Sequence, residues 1–177
     1  MKKIALIAAA MLAAGAAQAQ TKPASPFYGE AGFVFLTADI SGIKANPTAL
    51  RGIAGWNVHQ YVALEVMVAA GVSDDNFDSG AGAYKAKVEN AYGVYIKPKY
   101  ALNDQFEVFG RVGFANSKVK LSTTGLSGSD SDSDVSWGLG ATYKFNKQWY
   151  GAADYTSYFN KDGLKVDGFA LNVGYRF

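Results

Sequence analysis

The C-terminal stretch constrains this chain most. Phe169, Leu171, Val173, Tyr175 and Phe177 fall on one side of a two-residue repeat, and Ala170, Asn172, Gly174 and Arg176 on the other. Two is the period of a β-strand, whose successive side chains point to opposite faces. The repeat returns along the chain. Phe27, Ala31, Phe33 and Phe35 alternate with Tyr28, Glu30 and Gly32, and Leu50, Ala54 and Trp56 alternate with Arg51, Ile53 and Gly55. Leu64, Val66 and Val68 oppose Glu65, and Val88, Tyr92, Val94 and Ile96 oppose Lys87, Glu89 and Lys97. Phe106, Val108, Val112 and Phe114 oppose Glu107 and Arg111; the stretches 135–145 and 149–159 repeat the pattern against Lys144 and Asp154. The result is about eight strands of roughly ten residues, the length with which a tilted strand crosses a bilayer. Asn90 and Ser157 fall on the apolar face and are expected near a membrane rim.

A targeting segment precedes the first strand. Lys2 and Lys3 lead into an uncharged apolar run from Ile4 to Ala16, and Ala17-Gln18-Ala19 has the small-x-small form of a cleavage site. The run is too short for a membrane anchor and reads as a secretory signal. Residues 1–19 are expected to be removed between Ala19 and Gln20. That leaves a short periplasmic segment at 20–26 and one domain at 27–177. Lys2 and Lys3 leave with the signal, so the 17 Lys+Arg and 15 Asp+Glu of the whole chain come into balance. Nucleic acid is not expected as a partner. The chain has no cysteine, which removes disulfides and thiol-ligated zinc. No second apolar run approaches the roughly 20 residues of a spanning helix.

The connections alternate in length. Short ones fall at 57–60, 101–105 and 146–148, and long ones at 39–47, 71–84, 117–134 and 160–166. Short turns on one side and long loops on the other form the outer-membrane barrel pattern, with the short turns in the periplasm. The short turns share an Asn followed by a Gln directly before an aromatic: Asn57 with Gln60-Tyr61, Asn103 with Gln105-Phe106, and Asn146 with Gln148-Trp149. The repeating unit is thus a hairpin.

A soluble barrel alternates too, so charge and aromatic placement decide. The face opposite the apolar one carries Glu30, Arg51, Glu65, Lys87, Glu89, Lys97, Glu107, Arg111, Lys144, Asp154 and Arg176. Side chains fill the interior of an eight-stranded barrel, and charges of both signs are expected to pair there. Aromatics mark the short-turn end of every strand: Phe27, Trp56, Tyr61, Tyr100, Phe106, Phe145, Trp149 and Phe177. Amphipathic rings collect at the membrane–water interface, so this is read as a periplasmic girdle. Phe35, Tyr92, Phe114, Tyr155, Phe159 and Phe169 are expected to form a second one. The expected fold is all-β: an eight-stranded antiparallel up-and-down transmembrane barrel with longer extracellular loops.

These features together resemble the outer-membrane β-barrel domain family, the small OmpA/OmpX-type barrels. The residues carrying the resemblance are the signal segment, Ala63-Leu64-Glu65, Tyr92-Gly93-Val94-Tyr95-Ile96-Lys97-Pro98, Gly138-Leu139-Gly140-Ala141-Thr142-Tyr143-Lys144-Phe145, and the ending Val173-Gly174-Tyr175-Arg176-Phe177. The resemblance implies a Gram-negative outer membrane, with its lipid and lipopolysaccharide as surroundings. It also implies that periplasmic chaperones deliver the chain. The barrel-assembly machinery then recognises the last strand through Phe169, Leu171, Val173, Tyr175 and Phe177. It implies no single activity, and a host or cell-surface ligand would meet the loops.

Enzymatic chemistry has little to work with. His59, the lone histidine, falls in a short turn away from any Ser with an acid partner. Asp130-Ser131-Asp132-Ser133-Asp134 starts like a calcium loop, but Val135 stands where Gly is needed and Ala141 where the bidentate acid is needed. No catalytic residue, metal or cofactor is expected. The reading is a structural and interactive barrel that supports envelope integrity and displays loops, in adhesion or stress resistance. A narrow or gated channel for small solutes is the alternative. Deleting Phe177 is expected to impair assembly, seen as loss of the heat-modifiable folded form from outer-membrane fractions.

Overall fold

The computed structural model describes the backbone of residues 25–40, 43–73, 75–78, 83–123, 126–161 and 164–177, and the side chains of 25–39, 45–73, 90–116, 133–160 and 165–177. The expected leader, its cleavage site at Ala19 and Gln20, and most of segment 20–26 lie outside the described residues. So do the side chains of Lys87 and Glu89.

Every described element is a strand: β1 (Phe27–Ile40), β2 (Ile43–Ala45), β3 (Thr48–His59), β4 (Val62–Gly71), β5 (Asp75–Asp78), β6 (Ala83–Ala101), β7 (Phe106–Thr123), β8 (Leu126–Lys144), β9 (Trp149–Lys161) and β10 (Leu164–Arg176). All except β2 and β5 form the wall, each antiparallel to its neighbour in the chain. β10 then pairs with β1 from Tyr28–Arg176 to Ile40–Leu164 and closes an eight-stranded barrel. Closure leaves the wall without a sheet edge, the condition for a β-structure to span lipid.

The wall is inside out relative to a soluble barrel. Phe33, Val94 and Leu139 point outward and are 52%, 56% and 65% exposed, while Arg51 and Glu65 point inward at 1% and 2%. The strict alternation of the sequence produces this sorting, because one strand face meets lipid and the other the lumen.

Two of the short turns share one device. Asn103 Oδ1 accepts the N–H groups of Gln105 (2.9 Å) and Phe106 (2.8 Å). Asn146 Oδ1 accepts those of Gln148 (2.8 Å) and Trp149 (2.7 Å). This is the side-chain mimicry of a backbone turn for which Asn is suited. Each Gln then reaches a tyrosine on the adjoining strand, Gln105 to the Tyr143 hydroxyl and Gln148 to that of Tyr175. The expected third copy differs. Both the backbone N and the side-chain Nδ2 of Asn57 donate to Pro26 O, and the β3–β4 register shifts between Asn57 and His59.

Two expectations are corrected. Residues 117–134 are not a loop: the β7–β8 ladder continues through Lys118–Ser131 to Thr123–Leu126. Outside the membrane a strand needs no continuous apolar face, so its alternation fades while its ladder persists. Asn90 adjoins a register shift at Val88/Asn90, and Ser157 adjoins one that makes Tyr158 an extra residue in β9. Both nevertheless stay in register with the outward face, Asn90 opposite Lys118 and Ser157 opposite Trp137, toward the long-connection end of the wall. Beyond the second bulge Phe159 pairs with Val166 and is 7% exposed, so it leaves the proposed second girdle.

Leu139→Arg is expected to destabilise the barrel by about 2–4 kcal/mol, since it places a charge on the lipid face. Urea unfolding in lipid vesicles, followed by gel shift, measures it.

Candidate functional site

The inward face of the wall gathers charge from six strands into one chain of contacts. Lys97 on β6 bridges two carboxylates, donating to Glu30 Oε1 of β1 at 3.1 Å and lying 2.9 Å from Glu65 Oε1 of β4. Arg111 on β7 donates from Nε to Glu65 Oε2 at 2.6 Å and lies 3.2 Å from Asp154 Oδ1 of β9. Arg51 on β3 grips Asp154 with both terminal nitrogens, Nη1 to Oδ1 at 3.0 Å and Nη2 to Oδ2. Acid and base alternate from Glu30 through Lys97, Glu65, Arg111 and Asp154 to Arg51, and the chain is neutral. These side chains are between 0% and 3% exposed.

Neutral groups complete the cluster. Tyr28 donates to Glu65 Oε1 (2.7 Å), Tyr150 to Glu30 Oε1 (3.0 Å), Thr156 to Asp154 Oδ1 (2.9 Å) and Asn172 to Asp154 Oδ2 (3.3 Å). Arg51 Nη1 also donates to the hydroxyl of Tyr158 at 3.0 Å. The bulge in β9 aims that tyrosine inward. Glycine makes room for two of these rings: a Cβ on Gly55 would collide with Tyr28, and one on Gly174 with Tyr150. Lys97 Nζ also lies 4.2 Å from the centre of the Phe109 ring, within cation–π range.

Apolar layers flank the ions. Toward the short turns stand Tyr28, Ala63, Phe109, Tyr150 and Ala152. Toward the long connections stand Val34, Leu36, Ala49, Ile53, Met67, Tyr95, Ala115, Tyr158 and Ala170. Between them, Glu30 Oε2, Arg51 Nε and Arg111 Nη2 have no protein hydrogen-bond partner.

Of the expected lumen charges, the structure joins Glu30, Arg51, Glu65, Lys97, Arg111 and Asp154. Three others form the short-turn mouth: Arg176 Nη2 lies 4.0 Å from Glu107 Oε2, and Lys144 is half-buried beside them in sequence register. Sequence reasoning missed Tyr150 and Tyr158, as well as Lys99, which donates to Asn57 Oδ1 at 2.6 Å. Tyr150 was legible as an inward position beside Trp149; Tyr158 was not, because only the bulge turns it in.

The expected short-turn aromatics, Phe27, Trp56, Tyr61, Tyr100, Phe106, Phe145, Trp149 and Phe177, are exposed on the outer surface at 43–60%. Several touch their neighbours: Phe27 stacks on Trp56 at 6.3 Å and Tyr61 on Tyr100 at 6.4 Å. Phe35, Tyr92, Phe114, Tyr155 and Phe169 are exposed toward the other end. His59 is exposed, and its Nδ1 accepts the Tyr61 N–H at 3.4 Å.

A closed antiparallel barrel with an apolar outer wall and a packed ionic lumen is a small transmembrane β-barrel. A family model described as the outer membrane protein beta-barrel domain matches residues 4–177, and the chain belongs to that family. It is 31% identical over 86 residues to the attachment invasion locus protein of Yersinia enterocolitica. That match spans 49% of this chain and 48% of the relative, about half the length of each. The crystal structure of Ail, the attachment invasion locus protein of Yersinia pestis, in complex with the heparin analogue sucrose octasulfate, superposes with a TM-score of 0.64 at 20% identity, over 85% of this chain and 97% of Ail. Neisserial surface protein A gives 0.68 at 13% identity, over 88% of this chain and 100% of its own. The protein is thus a surface-exposed β-barrel of the Gram-negative outer membrane.

Arg51→Met is expected to cost about 3–5 kcal/mol, because it leaves Asp154 buried with a lost partner. The double change Arg51→Met with Asp154→Leu is expected to recover part of that loss. Urea unfolding of the three proteins in vesicles gives the comparison.

Proposed function

We propose that this barrel is a sealed anchor that contributes to envelope integrity and presents its outward hairpins for attachment. The observation that carries this reading is the neutral ion chain from Glu30 to Arg51, held between two apolar layers. A lumen filled in this way serves the wall and not a solute. What is left to act is the exterior. The name of the half-length relative concerns attachment and invasion, and the Yersinia pestis neighbour was solved with a heparin analogue. Both support a host or cell-surface ligand at the outward hairpins here.

The same reading assigns the remaining partners. Chaperones and the barrel-assembly machinery would receive the chain after cleavage between Ala19 and Gln20, with recognition through Phe169, Leu171, Val173, Tyr175 and Phe177. The aromatics from Phe27 round to Phe177 would seat the barrel at the periplasmic interface. Lipid and lipopolysaccharide would surround the wall. Catalysis has no part in the proposal: His59 contacts Tyr61, with no nucleophile or acid among its contacts among the described residues.

Planar-bilayer recording tests the anchor reading against the channel. The refolded barrel is expected to give no stable conductance. Single-channel steps that disappear in Arg111→Gln would overturn the sealed lumen and establish a narrow pore.

A further inference from the structure

The six ionised groups of the lumen cancel one another, but those of the short-turn mouth do not. Three cations line the mouth, each opposite an inward aromatic of the adjoining strand. Lys99 on β6 pairs with Phe109, Lys144 on β8 with Tyr150, and Arg176 on β10 with Tyr28. Directly opposed residues of an antiparallel pair share a face, and Phe109, Tyr150 and Tyr28 are buried in the lumen. The three cations therefore point into the mouth and away from lipid. Among the described residues Glu107 on β7 is the acid that joins them, opposite the inward Thr142.

The cations are loosely engaged. Arg176 Nη2 stands 4.0 Å from Glu107 Oε2, at the outer limit of an ion pair, and its guanidinium lies 5.1 Å from the centre of the Tyr150 ring. Lys99 Nζ donates to the neutral Asn57 Oδ1 at 2.6 Å, within electrostatic reach of Glu107, Arg176 and Lys144. Lys144 is half-buried and has no carboxylate partner among the described residues. The inward side chains at this end thus set three positive charges against one negative. The short turns add Asp104 and Lys147, which offset each other.

The mouth is also shaped as a cup. The apolar layer of Tyr28, Ala63, Phe109, Tyr150 and Ala152 forms its floor. That floor separates the cations from Glu30 and Glu65, which Lys97 already bridges. At the same level Thr142 Oγ1, on the strand position opposite Ala152, is buried without a protein partner. Like charges gathered in a concave site with low-dielectric walls repel one another and attract an anion. The cup opens along the barrel axis, so its anion arrives from water and not sideways from the leaflet.

We propose that the cup formed by Lys99, Lys144 and Arg176 binds a small oxyanion of the phosphate class from the periplasm. A phosphate group carries about two negative charges at pH 7, which matches the excess of the cup; a carboxylate would neutralise half of it. Its several acceptor oxygens can take charge-assisted hydrogen bonds from the guanidinium fork and two ammonium groups together. The word periplasm rests on the orientation proposed above, whereas the binding itself does not depend on orientation.

The test uses the full chain refolded in maltoside micelles, with inorganic phosphate as the probe and amide chemical shifts as the readout. Phosphate is expected to shift the amides of Lys99, Glu107, Lys144 and Arg176 saturably, and sodium chloride or acetate at the same ionic strength to do so far more weakly. K99Q/K144Q is expected to lose about tenfold in affinity. Glu107→Gln removes the acid of the cup and is expected to bind phosphate severalfold more tightly, a gain that a misfolded barrel would not give. Affinity that fails to fall in K99Q/K144Q, or fails to rise in E107Q, would overturn the proposal, and so would an equal response to chloride or acetate. A second arm places the barrel in bilayer discs containing phosphatidylglycerol with no added phosphate. Shifts at the mouth from that lipid, without any from inorganic phosphate, would assign the cup to leaflet headgroups and overturn the soluble ligand. Planar-bilayer recording reads the seal of the lumen separately, so the anchor reading and this one fail by different measurements.

Discussion

A polypeptide in hydrocarbon has no water with which to satisfy its backbone, so the wall of this protein depends on the seam between its first and last strands. The β1–β10 ladder runs the length of both strands. At its short-turn end the Phe177 N–H donates to Phe27 O at 3.1 Å, and the Ser25 N–H donates to Phe177 O at 2.8 Å. Phe177 is therefore a structural member of the seam as well as an exposed aromatic of the proposed girdle. Its position ties closure, orientation and the proposed recognition by assembly machinery to one place.

Closure also sets the interior. Eight strands enclose a space that side chains must fill, and the alternation delivers charged groups to it. Ionised groups buried this deeply are tolerated only when opposed and hydrogen-bonded. The alternating order of Glu30, Lys97, Glu65, Arg111, Asp154 and Arg51 meets that condition with contacts between strands remote in the chain. Gly55 and Gly174 are part of the same solution, since the tyrosines that finish the network need their space. The interior thus ties together strands that do not neighbour one another in the wall.

Much of this was legible in the residues. Leu139 and Leu171 face lipid, and Arg111 and Asp154 face the lumen, because a period of two admits only one assignment once one face is apolar. The turns with an Asn and then a Gln before an aromatic were legible as a pattern, and the Asn103 and Asn146 side chains explain the two in which a single residue separates Asn from Gln. Asn57 stands one residue further from its Gln than the other two, and it bonds to Pro26 and Lys99 beside the chain's entry into β1. The pairing of 117–123 with 126–134 was hidden for a related reason: no apolar face alternates along those residues.

The sequence by itself determined the eight strands of the wall, the lipid-facing surface, the positions of the short turns and the inward face of Glu30, Arg51, Glu65, Lys97, Arg111 and Asp154. These follow from local alternation, which each strand expresses alone. Only the tertiary structure decided which acid meets which base, that Tyr158 turns in and Phe159 leaves the outer surface, and that Lys87 stands opposite Lys120. Those outcomes depend on register between strands and on single-residue bulges, and a bulge shifts the register by an amount that no local pattern encodes.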